Sequence, residues 1–261
     1  ELTGLKPDIS SEWRTKKCFL VAKGNQFFAD ECMDTKRPLI FLWGDSQAAA
    51  LYPGFKEFQS KYLYGIAQYT AAACKPFVGE IAVGDKSCAK FNQSILSTIK
   101  KTKPEIVLLH GLWSDANDIT QLKITIGVLK SFGIKNIVLI GPDPIWNDEL
   151  PRIFFTYYRK EHKRPPLRMT ENNANAAHAF DMTLREFSRS EDVKYISSLD
   201  ILCNQDGCLT RPDVNSEDIM SMDQRHLSPQ GAIYLARFIL MDLIKSDQPA
   251  NDSSHRAIIT Q

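Results

Sequence analysis

Nowhere in its 261 residues does the chain stay apolar for the roughly 18–20 positions that a membrane-spanning helix needs, so no such helix is expected. It also lacks an excess of either charge. Thirty-two Lys and Arg stand against 31 Asp and Glu, a net charge of +1, without the basic surplus by which proteins neutralise nucleic-acid phosphates. Internal repeats and low-complexity tracts are missing, which excludes solenoid, collagenous and disordered classes. There is no Gly-rich phosphate loop, no dinucleotide fingerprint, no CxxC pair and no Cys/His cluster at zinc-ligand spacing. A nucleotide binder therefore has nothing in its favour, and no nucleic acid, no metal and no bound cofactor is expected. What remains is 43% apolar and 24% charged residues, ordinary for a soluble domain large enough to bury a full core.

Cysteine is the informative residue. Cys18, Cys32, Cys74, Cys88, Cys203 and Cys208 fall into three sequence-neighbour pairs. Six thiols allow 15 connectivities, and nearest-neighbour pairing is one of them. Disulfides persist in oxidising compartments, whereas six buried free thiols would suit the cytosol. An oxidising compartment is expected. The chain opens Glu-Leu-Thr-Gly-Leu, so either a signal was removed or the domain is the extramembrane piece of a larger polypeptide. Both place it outside the cytosol.

Residues 1–35 are irregular and read as an extension packing on the main domain, which spans 36–246; a polar tail over 247–261 is expected to be flexible. From Arg37 onward strands alternate with helices. Pro38–Trp43, Leu63–Tyr69, Glu105–Leu109, Ile134–Ile140 and Val193–Ser197 read as short strands, the first a wholly apolar run suited to burial on both faces. Helices are expected over 47–62, interrupted at Pro53-Gly54, then around Phe91–Ile99, Ile119–Leu129, 149–162 and 170–190. Ser228-Pro229 supplies an N-cap and first turn for the last one. This alternation predicts a single three-layer α/β domain with a parallel sheet of about five strands. Ligands of such sheets bind beyond the carboxyl ends of the strands, so the loops after Trp43, Tyr69, Leu109 and Ile140 are where chemistry is sought.

The first of those loops reads Gly44-Asp45-Ser46. A serine at a strand-to-helix corner is exposed, and the following helix aims N–H groups and a positive dipole end at developing negative charge. The bland alternative is that Ser46 only caps the helix. A serine nucleophile needs a base, and histidine suits the task because its pKa lies near working pH. Asp223-Gln224-Arg225-His226, just ahead of the last helix, offers both a base and an acceptor three residues upstream to hold it in one tautomer. Alone, that motif could be no more than a polar turn.

Taken together, a serine after the first strand and Asp-x-x-His before the last helix resemble the SGNH (GDSL-like) hydrolase family. Trp43 through Gly54 (WGDSQAAALYPG) and the Cys203/Cys208 pair narrow the resemblance to SGNH domains fused to membrane acyltransferase-3 proteins. It covers about Arg37 to Lys245. The resemblance implies a flavodoxin-like fold and O-acetyl transfer to bacterial surface polysaccharides such as lipopolysaccharide O-antigen, at the periplasmic side of the inner membrane. Its implied carbohydrate acceptor is acylated with an acetyl group that a membrane acyltransferase-3 domain, in the same polypeptide, hands over. It implies Ser46 as nucleophile, His226 as base and Asp223 as its orienting partner, with Gly44 and Asp45 structural.

The chain departs from the family at the oxyanion hole. Where the family has Gly-x-Asn-Asp, this sequence reads His110-Gly111-Leu112-Trp113-Ser114, with Asn117 out of register; small residues Ala71–Ala73 stand where a second-block glycine is usual. The expected donors are therefore the Ser46 backbone N–H, Ala73 and the Trp113 indole N–H. Gln47 replaces a histidine common in the subgroup. His110 reads as a second base or a buried hydrogen-bonded histidine, Gly84-Asp85 lacks a following serine, and Lys160, His162, Lys163, Arg164 and Arg168 form a basic loop facing either solvent or anionic lipid. Competing functions are a polysaccharide acetylesterase of the same fold and a catalytically silent carbohydrate-binding domain.

Overall fold

A computed structural model describes residues 9–21, 26–78, 86–170 and 174–247. A short helix α1 (Ile9–Glu12) and strand β1 (Phe19–Leu20) open it, followed by β2 (Leu39–Gly44), α2 (Ser46–Tyr62), β3 (Gly65–Ala71), α3 (Lys86–Thr102), β4 (Ile106–His110) and α4 (Ala116–Ser131). Then come β5 (Asn136–Ile140), α5 (Leu150–Glu161), β6 (Arg168–Met169), α6 (Ala174–Ser190), β7 (Lys194–Ile196), α7 (Ser198–Leu202), β8 (Cys203–Asn204), β9 (Gly207–Leu209) and α8 (Pro229–Asp247).

Six parallel strands form the main sheet in the order β1-β3-β2-β4-β5-β7. The five expected strands make up β3-β2-β4-β5-β7, and the sixth comes from the extension, where Phe19 and Leu20 pair with Thr70 and Ala71. The apolar strands are continuous because successive side chains feed opposite layers. Ile40 and Leu42 face a core shared with Leu51 and Phe55 of α2 and Leu235 and Ile239 of α8. Leu39, Phe41 and Trp43 face the other, with Ile95 of α3, Leu122 of α4 and Leu184 of α6.

The awkward Pro53-Gly54 step does not break α2. A Cβ at Gly54 would lie 2.1 Å from the Ala232 carbonyl oxygen, so the glycine is what lets α8 approach α2 this closely. Gly44 serves β2 and β4 likewise: its Cβ would lie 1.7 Å from the His110 carbonyl oxygen. Ser228 caps α8, its Oγ accepting the Gly231 N–H at 3.0 Å.

All three nearest-neighbour disulfides are formed: Cys18–Cys32, Cys74–Cys88 and Cys203–Cys208. The last crosses the β8–β9 hairpin, part of a small antiparallel sheet β6-β9-β8 that the strand pattern did not reveal. Among the described residues no helix is long and apolar enough to cross a membrane. Gly84-Asp85, residues 1–8 and the tail beyond 247 lie outside the described residues.

Candidate active site

Chain order and sheet order together bring the two motifs to one end of the sheet. Ser46 is the first residue of α2, immediately after β2, and Asp223–His226 form the loop that feeds α8, the helix packed on α2. His226 Nε2 lies 2.9 Å from Ser46 Oγ, and His226 Nδ1 lies 2.8 Å from Asp223 Oδ2. Asp223 Oδ1 accepts the backbone N–H groups of Arg225 and His226, both at 2.8 Å, so the carboxylate is held by its own turn while the other oxygen orients the imidazole. Partial burial would raise the Asp223 pKa. The hydrogen bond from His226, the Arg225 N–H and the histidine's charge outweigh burial and lower it to about 2. A carboxylate ionised at neutral pH fixes Nδ1 as the protonated nitrogen and leaves Nε2 free to take the serine proton.

The serine corner is fixed by Asp45, the N-cap of α2. Its Oδ1 accepts the Gln47 N–H at 2.8 Å and its Oδ2 accepts the Leu112 N–H at 2.9 Å, tying the corner to the loop after β4. Burial pushes the Asp45 pKa up against these two N–H donors. As first residue of α2, Ser46 has a backbone N–H without an intrahelical acceptor, free to meet a developing oxyanion. Ala73 lies exposed in the turn after β3, in a left-handed conformation with φ of 57°.

Trp113 does not fit the donor role expected of it. Its indole N–H is donated to the Ile140 carbonyl at 2.7 Å, and its backbone N–H to Gly111 at 2.9 Å; both are spent inside the fold. Asn117 sits exposed in the first turn of α4, its N–H on the Asp115 cap. His110 is fully buried, 3.2 Å from Asp143 Oδ2 and 3.4 Å from the Ile140 carbonyl oxygen, so it is a core histidine and not a second base. Burial pulls its pKa down; the charge of Asp143, the hydrogen bond between them and Asp45 together override burial and raise it. In the basic loop, Arg164 binds the carbonyls of Val214 and Ser216, and Arg168 those of Leu202 and Gly207. Those two cations are used within the fold.

Sequence reasoning gave Gln47 no role, yet its amide, oriented to satisfy its neighbours, donates to the Arg225 carbonyl at 3.0 Å and to Asp143 Oδ2 at 3.2 Å. It clamps the serine helix to the histidine loop. Its place directly after Ser46 was the available signal. Beside the triad, Gln47, Leu112, Trp113, Asp143, Phe180 and Arg225 bound a cleft of about 180 Å³.

The chain matches a known family model, that of the SGNH domain fused to AT3 domains, over residues 14–240. The chain is an SGNH domain of that family. Among solved structures, this SGNH domain is similar to the Salmonella ser. Paratyphi A lipopolysaccharide acetyltransferase periplasmic domain, at 28% identity and a TM-score of 0.79, covering 94% of this chain and 100% of that one. More distant likenesses reach an acetyl xylan esterase (13% identity, TM-score 0.48, 78% of this chain and 98% of that) and a carbohydrate acetylesterase from Sinorhizobium meliloti (7%, 0.49, 80% and 98%). A comparison with curated proteins finds no match.

Proposed function

We propose that this SGNH domain transfers an acetyl group to a hydroxyl of a bacterial surface polysaccharide, lipopolysaccharide O-antigen in particular, through an acyl-Ser46 intermediate. The observation that carries the reading is the unbroken chain Asp223–His226–Ser46, with 2.8 and 2.9 Å links. The family's fusion to AT3 domains and the likeness to a Salmonella lipopolysaccharide acetyltransferase support the choice of donor route, acceptor and periplasmic location.

In this mechanism Ser46 Oγ attacks the carbonyl carbon of the donor's acetyl group while its proton passes to His226 Nε2. The oxyanion forms beside the N–H groups of Ser46 and Ala73. Its collapse expels the donor's leaving group, which takes the proton back from His226. A sugar hydroxyl then enters, gives its proton to His226 and attacks the acyl carbon; as that adduct collapses the bond to Ser46 Oγ breaks, and Ser46 takes the proton from His226 and is restored as the neutral alcohol. Asp223 stabilises the imidazolium in both halves. The donor is handed over by the AT3 membrane domain.

A fluorophosphonate probe, which needs an activated serine, tests the triad directly. Native protein should be labelled and should slowly hydrolyse p-nitrophenyl acetate; Ser46→Ala and His226→Ala should do neither, and the double variant should lose little more than either single one. Asp223→Asn should lower turnover by orders of magnitude, about 10⁴-fold in the best-studied triads. Full hydrolysis surviving in Ser46→Ala would end the reading. Because positioning of the donor supplies much of the rate, the chain alone should transfer almost nothing from acetyl-coenzyme A. Fast release of acetate from acetylated polysaccharide would instead make it an esterase.

A further inference from the structure

One residue of the extension reaches the triad. The Trp13 ring lies against the His226 imidazole in an edge-on arrangement, centroids 5.2 Å apart at 61°. Trp13 is only 5% exposed and packs in one cluster with Ala49 and Ala50 of the first turn of α2, with Phe19 of β1, and with Met222, the neighbour of Asp223. The cluster therefore joins the helix that carries the nucleophile to the loop that carries the acid, and through Trp13 it reaches the imidazole between them. The Trp13 backbone is pinned too, since its carbonyl accepts the Gln68 side-chain amide at 2.9 Å from within β3. The extension is held to the sheet by β1 and closed by Cys18–Cys32.

A second observation is independent of that packing. The Trp13 indole N–H is buried and has no hydrogen-bond partner among the described residues. A buried unmade donor costs about 1–3 kcal/mol, so stability alone is better served by a ring without the N–H. Hydrogen bonds at Nδ1 and Nε2 fix the line through the two nitrogens but leave the imidazole free to tilt about it. A large rigid ring against its side removes that freedom, and misplacements of about 1 Å can cost on the order of 10²-fold in rate.

We infer that Trp13 is a positioning residue for His226, and that the extension is thereby a working part of the active site. The inference rests on the triad reading above, because Trp13 acts through the imidazole and touches no reacting atom. Among the described residues, the groups facing that imidazole are the Asp223 carboxylate at Nδ1, the Ser46 hydroxyl at Nε2 and the uncharged Trp13 ring; the nearby Asp45 carboxylate is committed to the Gln47 and Leu112 N–H groups.

Two measurements on the 261-residue chain decide it. In the first, Trp13→Leu should lower kcat/KM for p-nitrophenyl acetate about tenfold or more per folded molecule, with near-ultraviolet dichroism otherwise native, and Trp13→Phe, which sets a smaller ring against the same imidazole, should recover only part of the loss. In the second, an imidazolium touching an indole quenches its emission, so native fluorescence should show a pH-dependent step that is absent in both His226→Gln and Trp13→Phe. Native turnover in Trp13→Leu, or an unchanged emission step in Trp13→Phe, would overturn the inference. Should Trp13→Leu fail to fold, Trp13→Phe and the emission step decide alone. If the native chain hydrolyses no ester, the triad reading falls, while the emission step still tells whether Trp13 and His226 are in contact.

Discussion

Asp45 and Asp223 lie near one serine and each accepts two backbone N–H groups, yet their protonation equilibria move in opposite directions. Asp45 is buried, and burial raises its pKa. Asp223 is partly open to solvent and bonded to a histidine, and its pKa falls to about 2. A carboxylate with a depressed folded-state pKa adds stability that is complete above its unfolded value, about 3.9, and is lost as pH falls through the folded one. The difference in urea-unfolding midpoint between native protein and Asp223→Asn should therefore be full above about pH 4 and close as pH approaches 2. A difference that instead grew on acidification would mean that the hydrogen-bonded pair is not the source. Asp45→Ala should behave differently: it strips the acceptor from the Gln47 and Leu112 N–H groups and should cost about 1–3 kcal/mol at neutral pH, readable in the same titration.

At the level of elements, Ser46 belongs to α2 and His226 to the approach of α8, so the distance between two helices sets the distance between the groups that the proposed mechanism brings together. Gly54 controls that distance through its contact with Ala232. Gly54→Ala should lose stability by about 1–3 kcal/mol, since backbone faces the new methyl group, and should lose ester hydrolysis beyond that loss because Ser46 and His226 are spread. Retained turnover per folded molecule would show that the loop absorbs the shift. The same helices show what a sequence discloses. β2, β4 and β5 were legible because strands covered on both faces must be apolar throughout, and the Gly-Asp-Ser and Asp-x-x-His motifs were legible because each role is confined to a few residue types. β1, β6, β8 and β9 were not, because two or three residues carry no period. Trp13 was not legible either, since its meeting with His226 follows from how an irregular segment folds back, and Trp113 was misread because nothing local shows that Ile140 takes its N–H.

For the whole molecule, the disulfides bind outlying segments to the catalytic end. Cys18–Cys32 closes the segment that presents Trp13, and Cys203–Cys208 stiffens the hairpin whose next residue, Thr210, accepts the Met220 N–H; Met220 in turn accepts the Ser228 N–H at the foot of the histidine loop. Each of the two bridges with a sequence separation of 14 should add about 3 kcal/mol on the chain-entropy account. Reduction with dithiothreitol should therefore lower the thermal midpoint. Ester hydrolysis should decline at temperatures where the core, read by far-ultraviolet dichroism, is still intact, because the segments released border the triad. Coincident loss of both signals would show that the bridges support the core and not the site.

Ser46 and His226 are 180 positions apart in the chain and 2.9 Å apart in space. A ribosome that has made the whole first half of the sheet has made a serine with no base, as inert as any other alcohol. Closing so long a loop is among the slower and entropically dearer events on the way to the native state. On the proposed triad, reactivity thus comes into being only when the final helix docks, and a chain broken off before that point carries no stray nucleophile.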